Sequence, residues 1–488
     1  MFTTYGSTTR LAYPPVWTAY YREQYNEHTM RYLTFECLPS VDYMLSELAD
    51  RPGRFILEDV LGGTAIIGAA PNVVLTAKND VVQLERQGEV TEIHGDPLRI
   101  LAERLADFEQ NCNAEHIPFA GGAVGYFSYD LGRSIEDIPS IAKEDIPAPD
   151  YCLGFYDSAL IVDLANRRCT AVSWSSDLEA IEDWRKLAIS APRSEEAAGR
   201  SIVHCSDEPA EVMSNFTKAE YLAAIERIRE YIAAGDVYQV NLSQRFEAKL
   251  PSTALELYKA LRRINPAPES CYIEIGPITL VSASPELFLS YDPVTRRVVT
   301  KPIKGTRPRG HTPQEDALLA HELATSEKDR AENLMIVDME RNDLGRVAKY
   351  GTVRVPKLWD IEEHPNVFQM VSTVEAELAS DYGPIDLLRA SFPGGSITGA
   401  PKIRAMEIIE ELEPHRRGLY TGSAGYIDFR GRMHLNIIIR SFAVHGSTAY
   451  FHAGGGIVID SDPQAEYQET VYKIAGLRRA LQECGKAE

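Results

Sequence analysis

A lysine at position 304 could act as a nucleophile, because it lies where an apolar, β-rich segment meets a glycine. Residues 278–291 and 297–300 are two β-rich runs around a turn-like Asp-Pro, and they predict a hairpin that leaves Lys304 at a strand end. Gly305 allows a ligand to approach the backbone closely. An amine attacks carbon only when a fraction of it is neutral, so its pKa must be lowered. An isolated Lys-Gly pair is more commonly found on the protein surface. Whether Lys304 is catalytic therefore depends on the residues around it.

Three donor side chains, those of Thr306, Arg307 and Arg309, follow the glycine and suit a bound carboxylate. The chain of 488 residues carries a formal net charge of −21. This charge excludes nucleic acid and anionic membrane as expected partners, because both require a cationic surface. An anionic substrate would therefore need a local basic cluster or a metal ion to hold it.

Two pairs of carboxylates have a spacing that places both members on one helix face. Asp329 and Glu332 are three residues apart, and so are Glu466 and Glu469, with Lys473 four residues further on. Carboxylates with an incomplete ligand shell suit Mg²⁺, which also binds water and substrate oxygens. Either pair alone would more commonly be a solvated helix face.

The seven cysteines are scattered without a CxxC pair, so neither a zinc site nor a disulfide framework is predicted. The sequence around Cys112, Gln-Asn-Cys-Asn, does not resemble the nucleophile segment of a glutamine-hydrolysing enzyme. The N-terminus has no basic segment followed by an apolar one, and no run reaches the ~18 apolar residues of a membrane span. These features predict a cytoplasmic protein without a membrane segment.

The order of secondary structure predicts an α+β fold, because strands and helices are interleaved without the period of βαβ units. Helical spacing is found over residues 328–340, followed by an expected sharp break at 341–345, and over a last helix from 462 to about 484. Residues 367–376 predict a strand or a short helix. The sequence contains no evident internal repeat.

A polar, aperiodic segment predicts the domain organisation. Residues 191–214 have the composition of a linker. The expected division is an N-terminal region, residues 1–190, and a catalytic region, residues 215–488.

Several motifs in one order resemble the chorismate-utilising enzymes. They are Ser-Ala-Ser-Pro-Glu-Leu-Phe at 282–288, Pro-Ile-Lys-Gly-Thr at 302–306 and Arg-Ala-Glu-Asn-Leu-Met-Ile-Val-Asp at 330–338. The resemblance is strong over roughly residues 210 to 480 and weaker before them. It implies two large antiparallel β-sheets packed as a sandwich with helices outside.

Within that family the resemblance implies Mg²⁺-dependent amination of chorismate at C4, for 4-aminobenzoate and folate synthesis. The ammonia would come from a partner glutaminase. The anthranilate synthases, which aminate C2 and eliminate pyruvate, usually have alanine where this chain has Lys304. They are the nearest alternative, and a non-catalytic homologue is a more distant one.

The resemblance also implies a role for individual residues. Lys304 would be the nucleophile and Glu286 the general acid that protonates the departing hydroxyl. Glu332 and Glu469 would bind the metal, with Asp329 and Glu466 nearby or acting through water. The substrate-binding positions would be Gly305, Thr306, Ser396, Tyr420, Arg440, Gly454, Gly455, Gly456 and Lys473.

Two departures concern regulation. Asp59 and Glu269 occupy positions in the two segments that bind regulatory tryptophan in anthranilate synthases. Both weaken the case for tryptophan feedback, although tryptophan with a purely structural role stays open.

Two further departures concern chemistry. Gln239 stands where isochorismate and salicylate synthases carry a water-activating lysine, and an amide cannot act as that base. Gln369 stands where many relatives have histidine, and it can form hydrogen bonds but cannot transfer protons near neutral pH.

Overall fold

The computed structural model describes residues 30–59, 61–108, 116–174, 178–192, 211–364 and 367–485. In chain order the strands are β1 (Arg31–Glu36), β2 (Phe55–Asp59), β3 (Thr64–Gly68), β4 (Val73–Lys78), β5 (Val81–Arg86), β6 (Glu89–His94), β7 (Gly122–Phe127), β8 (Tyr151–Tyr156), β9 (Ser158–Asp163), β10 (Arg168–Ser173), β11 (Met213–Ser214), β12 (Gln239–Lys249), β13 (Glu269–Ile275), β14 (Ile278–Ser284), β15 (Leu287–Asp292), β16 (Arg297–Thr300), β17 (Ile303–Pro308), β18 (Arg354–Glu363), β19 (Val367–Glu377), β20 (Gly399–Ala400), β21 (Ser423–Asp428), β22 (Met433–Ile437), β23 (Ser441–His445) and β24 (Thr448–Ile457).

The helices, again in chain order, are α1 (Val41–Glu47), α2 (Pro97–Asp107), α3 (Glu179–Ser190), α4 (Lys218–Ala234), α5 (Ala254–Ile264), α6 (Pro313–Thr325), α7 (Glu327–Gly345), α8 (Pro384–Ser391), α9 (Lys402–Leu412), α10 (Pro463–Lys473) and α11 (Ala475–Cys484). Two short 3₁₀ turns lie at Tyr129–Ser134 and Gly395–Ile397.

The strands form two large antiparallel sheets. The first sheet has the order β1-β10-β9-β3-β2-β13-β14-β23-β24-β12-β11, with β20 beside β12. The second has the order β17-β19-β16-β15-β22-β21-β7-β8-β4-β5-β6, with β18 beside β19. Neighbouring strands are antiparallel throughout the two sheets.

The main core lies between the facing surfaces of these sheets. Side chains along β13 alternate between the two faces of the first sheet. Ile273 packs into the core between the sheets, and Tyr272 packs on the opposite face. That opposite face is covered by α1, α3, α5 and α11, whose apolar side chains form a second core. The predicted α+β fold of two antiparallel sheets with helices outside is confirmed.

Both sheets combine strands from residues 31–173 with strands from residues 239–457. Most of the predicted linker at 191–214 falls in residues 193–210, which lie outside the described part of the chain, as does Cys112. The domain boundary stays a prediction, since strands from its two sides are hydrogen-bonded together in each sheet. None of the helices in the described ranges combines the length and apolar character that a membrane span requires.

The helix that was expected to break after residue 340 continues as α7 to Gly345. Its last turn is held from outside, because Lys402 donates a hydrogen bond of 2.6 Å to Asp343 and the Leu344 side chain is buried. The last helix is divided at Ile474 into α10 and α11. Residues 367–377 form a strand.

Candidate active site

A cavity of about 500 Å³ is lined by residues of both sheets and of α7 and α10. The expected site residues that line it are Glu286, Lys304, Gly305, Thr306, Asp329, Glu332, Ser396, Tyr420, Arg440, Gly454, Gly456, Glu466, Glu469 and Lys473. These residues are spread over almost two hundred positions of sequence. The fold therefore brings these residues together in one cavity, whereas the sequence motifs show only their order along the chain.

The chain crosses from the first sheet to the second at Pro285 and Glu286. The preceding strand, β14, ends at Ser284 in the first sheet, and β15 begins at Leu287 in the second. The predicted hairpin is confirmed for β15 and β16, which pair directly. Residues 278–284, expected in the same hairpin, instead belong to the other sheet.

A second crossing, at residues 438–440, returns the chain from β22 to β23. The two crossings are bonded together, because the Ser284 hydroxyl donates to the Ile437 carbonyl at 2.6 Å and the Ile437 N–H donates to the Glu286 carbonyl at 3.0 Å. Arg440 ends the second crossing in the left-handed backbone region, with φ of 55°. Glu286 and Arg440 are thus both held where strands change sheets.

Glu286 is buried, with 5% of its surface exposed. Burial raises the pKa of its carboxyl group, while a hydrogen bond from Ser396 and the charge of Lys304 act in the opposite direction. The net direction is upward, so the carboxyl group keeps its proton to a higher pH than an exposed glutamate does. A protonated carboxyl group can donate a proton to a leaving hydroxyl.

Lys304 lies near the start of β17 rather than at the end of the preceding strand. It sits in an irregularity of the β17–β19 pairing, between the matched pairs Ile303–Val371 and Thr306–Gln369. Its ammonium group donates a hydrogen bond of 3.1 Å to the Ser396 carbonyl. Burial lowers the pKa of the amine, although nearby carboxylates oppose this shift. The direction is the one that a nucleophilic lysine needs.

Gly305 has to be glycine for two reasons. Its φ of 84° lies in the left-handed region. A Cβ at this position would also lie 2.9 Å from the Asp329 carboxyl group and 2.9 Å from the Leu323 side chain. The close approach brings the backbone beside Lys304 against α7.

One side of the cavity is acidic. Asp329 and Glu332 project from α7, and Glu466 and Glu469 project from α10. Burial raises the pKa values of Glu332 and Glu466, and neighbouring carboxylates raise them further. A cation bound here would relieve that repulsion.

Lysines offset part of this negative charge. Lys328 lies 3.9 Å from Glu332, and Lys473 lies 2.6 Å from Glu469. Burial alone would raise the pKa of Glu469, but the Lys473 ammonium holds it below its usual value. Among the described residues, no group of three or more His, Cys, Asp or Glu side chains is placed so that it could hold a metal ion by itself.

The cavity also carries donors, which adjoin the acids at Lys473. Arg440 donates to the Lys473 carbonyl at 3.1 Å, and Lys473 donates to the Gly454 carbonyl at 2.8 Å. The Tyr420 ring stacks on His452 with 4.6 Å between ring centroids. Burial raises the pKa of Tyr420 to about 12, so its hydroxyl remains a donor at neutral pH. These donors suit a carboxylate.

Two expectations need adjustment. Gly455 does not line the cavity, but a Cβ there would lie 3.1 Å from the Glu466 carboxylate, so its lack of a side chain leaves room for the acid. Arg309, expected to be available to a carboxylate, is bonded to Asp316 and lies over the Phe368 ring outside the cavity. Arg309 follows Pro308, the last residue of β17, and its residue type alone does not indicate where its side chain turns.

Four polar lining residues were not singled out from the sequence: Asn241, Lys328, His452 and Tyr472. The sequence pattern could have predicted His452, because it lies on the same strand face as Gly454 and Gly456. The spacing could also have predicted Lys328, since it lies four residues before Glu332 on one helix.

The two glutamines that depart from the relatives are both buried. Neither amide atom of Gln239 has a hydrogen-bond partner in the described part of the chain, and the residue lies behind Gly456 rather than on the cavity wall. Gln369 lines the cavity.

Comparison with known proteins agrees with this geometry. The family model described as chorismate binding enzyme matches residues 52–479. Aminodeoxychorismate synthase component 1 of Klebsiella aerogenes is 41% identical over 91% of this chain and 97% of its own length. Anthranilate synthase component 1 of Thermus thermophilus is 41% identical over 89% of this chain and 94% of its own length.

Among solved structures, anthranilate synthase component I of Streptococcus pneumoniae superimposes with a TM-score of 0.73. The two sequences are 31% identical, and the match covers 86% of this chain and 92% of that one. Sequence, fold and cavity thus lead to one conclusion: this chain belongs to the family of chorismate-binding enzymes.

Proposed function

We propose that this chain aminates chorismate at C4 with ammonia supplied by a partner glutaminase, giving 4-amino-4-deoxychorismate. The observation that carries the proposal is the amine of Lys304, which projects into the cavity where anthranilate synthases usually have alanine. The similarity to aminodeoxychorismate synthase component 1 supports the same choice.

The cavity has a place for each carboxylate of chorismate. Arg440, Tyr420 and the backbone at Gly454 would bind the enolpyruvyl carboxylate by charge and hydrogen bonds. The ring carboxylate would lie at the acidic side, next to Gly305 and Thr306. A cation bound there would offset the negative charge of the acids.

Mg²⁺ fits the residues at that side. Glu332 and Glu469 would hold it, with Asp329 and Glu466 nearby or bonded through water. When bound, the ion would supply the positive charge that holds the ring carboxylate. The chemistry of the donor set supports this assignment, because burial of like charges raises the pKa values of two of the four acids.

Lys304 and Glu286 would perform the first half of the reaction. The neutral amine forms a bond to C2, the two ring double bonds each shift by one position, and the C4–O bond breaks. The Glu286 proton goes to the departing hydroxyl, which leaves as water. Ammonia then forms the C4–N bond, the double bonds shift back and the C2–N bond breaks, which releases Lys304 as the neutral amine.

Anthranilate formation is the second candidate, supported by similarity to anthranilate synthase component 1. An assay with chorismate, Mg²⁺ and ammonium, with products identified by mass, distinguishes the candidates. We expect 4-amino-4-deoxychorismate. Anthranilate as the product would overturn the C4 assignment, and the absence of any turnover would favour a non-catalytic homologue.

Ammonium salts alone should support turnover, whereas glutamine should do so only after a glutaminase is added. Burial raises the pKa of Cys152 to about 11 and that of Cys271 to about 12, which is opposite to the low pKa of a reactive thiol. Release of glutamate from glutamine by the purified chain measures this directly. Glutamine hydrolysis without an added partner would contradict the prediction.

Free tryptophan should inhibit weakly, with less than two-fold loss of activity at micromolar concentration. The Glu269 carboxylate lies 2.8 Å from the His434 ring nitrogen, and the Asp59 carboxylate accepts hydrogen bonds from the backbone of Leu61 and Gly62. These carboxylates would repel the carboxylate of an amino-acid ligand. Initial rates over a tryptophan titration test the expectation, and strong inhibition that competes with chorismate would refute it.

A further inference from the structure

The side chain of Gln369 has no assigned role, yet it belongs to the wall of the cavity that carries the reacting groups. It lies on β19, directly opposite Thr306 of β17. Lys304 lies in the irregular part of the same strand pair. The Glu286 carboxylate accepts a hydrogen bond from the backbone of Ile303, which begins β17. Lys304, Glu286 and Gln369 therefore all lie next to the pairing of β17 with β19.

Gln369 is also unsatisfied. Only 8% of its surface is exposed, and its amide oxygen has no hydrogen-bond partner among the described residues. Leaving a buried polar atom unpaired costs free energy, so such an atom in a cavity wall indicates a missing ligand group. No protein hydrogen bond fixes that oxygen, so rotation of the amide can direct it toward a ligand.

The charges around the cavity indicate which group this amide would bind. Arg440 and Tyr420 suit the enolpyruvyl carboxylate of the substrate, and the acids suit a cation that would hold the ring carboxylate. The Gln369 amide oxygen is a neutral acceptor without a partner among the described residues, and it suits a neutral donor. Ammonia has three N–H groups and one lone pair, so it can donate to an amide oxygen and still attack carbon.

We propose that the Gln369 amide oxygen positions ammonia for its attack on C4, an inference that rests on the proposed function. One N–H of ammonia donates to the amide, and the lone pair is directed at C4. As the C4–N bond forms and the C2–N bond to Lys304 breaks, the new ammonium group gives its extra proton to the Glu286 carboxylate. That carboxylate had lost its proton to the departing water, so the acid is regenerated.

An amide suits this task because it neither takes a proton from the nucleophile nor gives it one near neutral pH. A carboxylate at this position would favour ammonium, which has no lone pair. Gln369 is thus assigned as a positioning residue for the second substrate, acting after the adduct on Lys304 has formed.

The test compares Gln369→Leu, which removes the hydrogen bond at similar size, with Gln369→His, which restores a neutral acceptor of the type many relatives carry. Ser128→Ala is the control, since it removes a buried, unpaired hydroxyl that does not line the cavity. For each protein the KM for ammonium is measured at saturating chorismate. The rate of adduct formation on Lys304 without ammonia is followed by mass spectrometry.

For Gln369→Leu we expect the KM for ammonium to rise about five- to ten-fold, as for the loss of one hydrogen bond. The KM for chorismate and the rate of adduct formation should stay within two-fold of wild type, and Gln369→His should recover most of the ammonium affinity. An unchanged KM for ammonium, or an equal rise in Ser128→Ala, would overturn the inference. So would a parallel loss of adduct formation, which would indicate a structural role. A wild type that forms no C4-aminated product would overturn the proposed function itself.

Discussion

Replacing Lys304 by alanine should change which product is made. Formation of 4-amino-4-deoxychorismate should fall at least about 100-fold, equivalent to about 2.7 kcal/mol of activation free energy, because the variant lacks the nucleophile that attacks C2. Total consumption of chorismate should fall less. With C2 no longer blocked, ammonia can attack there and give 2-amino-2-deoxyisochorismate or anthranilate.

The measurement is product analysis by mass and fluorescence, together with trapping of the adduct. Wild type should show a mass increase on the peptide that contains Lys304, and the alanine variant should show none. Lys301→Ala is a matched control, since this nearby lysine is 40% exposed and pairs with Glu362. A Lys304→Ala variant that still makes only the C4 product would reduce the lysine to an electrostatic role.

Neutralising the acidic side of the cavity should abolish most activity. Glu332→Gln and Glu469→Gln keep the side-chain size but remove a charge expected to bind Mg²⁺, and we expect each to lose at least about 100-fold in kcat/KM. Glu327→Gln, on the exposed face of the same helix as Glu332, should retain normal turnover.

A second measurement separates metal binding from catalysis. An ion that binds only the folded chain raises the Tm, so Mg²⁺ should stabilise wild type and Glu327→Gln. The shift should be much smaller for Glu332→Gln and Glu469→Gln. Wild-type turnover in the presence of a chelator would remove the metal assignment altogether.

Local sequence determined most of the individual groups in the site. The three-residue spacings of Asp329 with Glu332 and of Glu466 with Glu469 place each pair on one helix face, and both helices are present. Helix spacing depends on neighbouring residues alone, which is why a pattern in one segment suffices to predict it. The motif around Lys304 likewise identified a lysine that lines the cavity.

Tertiary structure decided how these groups meet. The segment 278–291 is one β-rich run in the sequence, yet it divides between the two sheets at Pro285, and this division holds Glu286 inside the cavity. Arg309, in contrast, points away toward Asp316.

The reason is physical. An alternating strand pattern states which residues are apolar, but the choice of partner strand depends on packing against residues more than a hundred positions away. The hydrogen bonds between residues 284–286 and Ile437 are contacts of that kind. By itself the sequence determined the chemistry of the groups, and the crossing of strands between two sheets determined their common site.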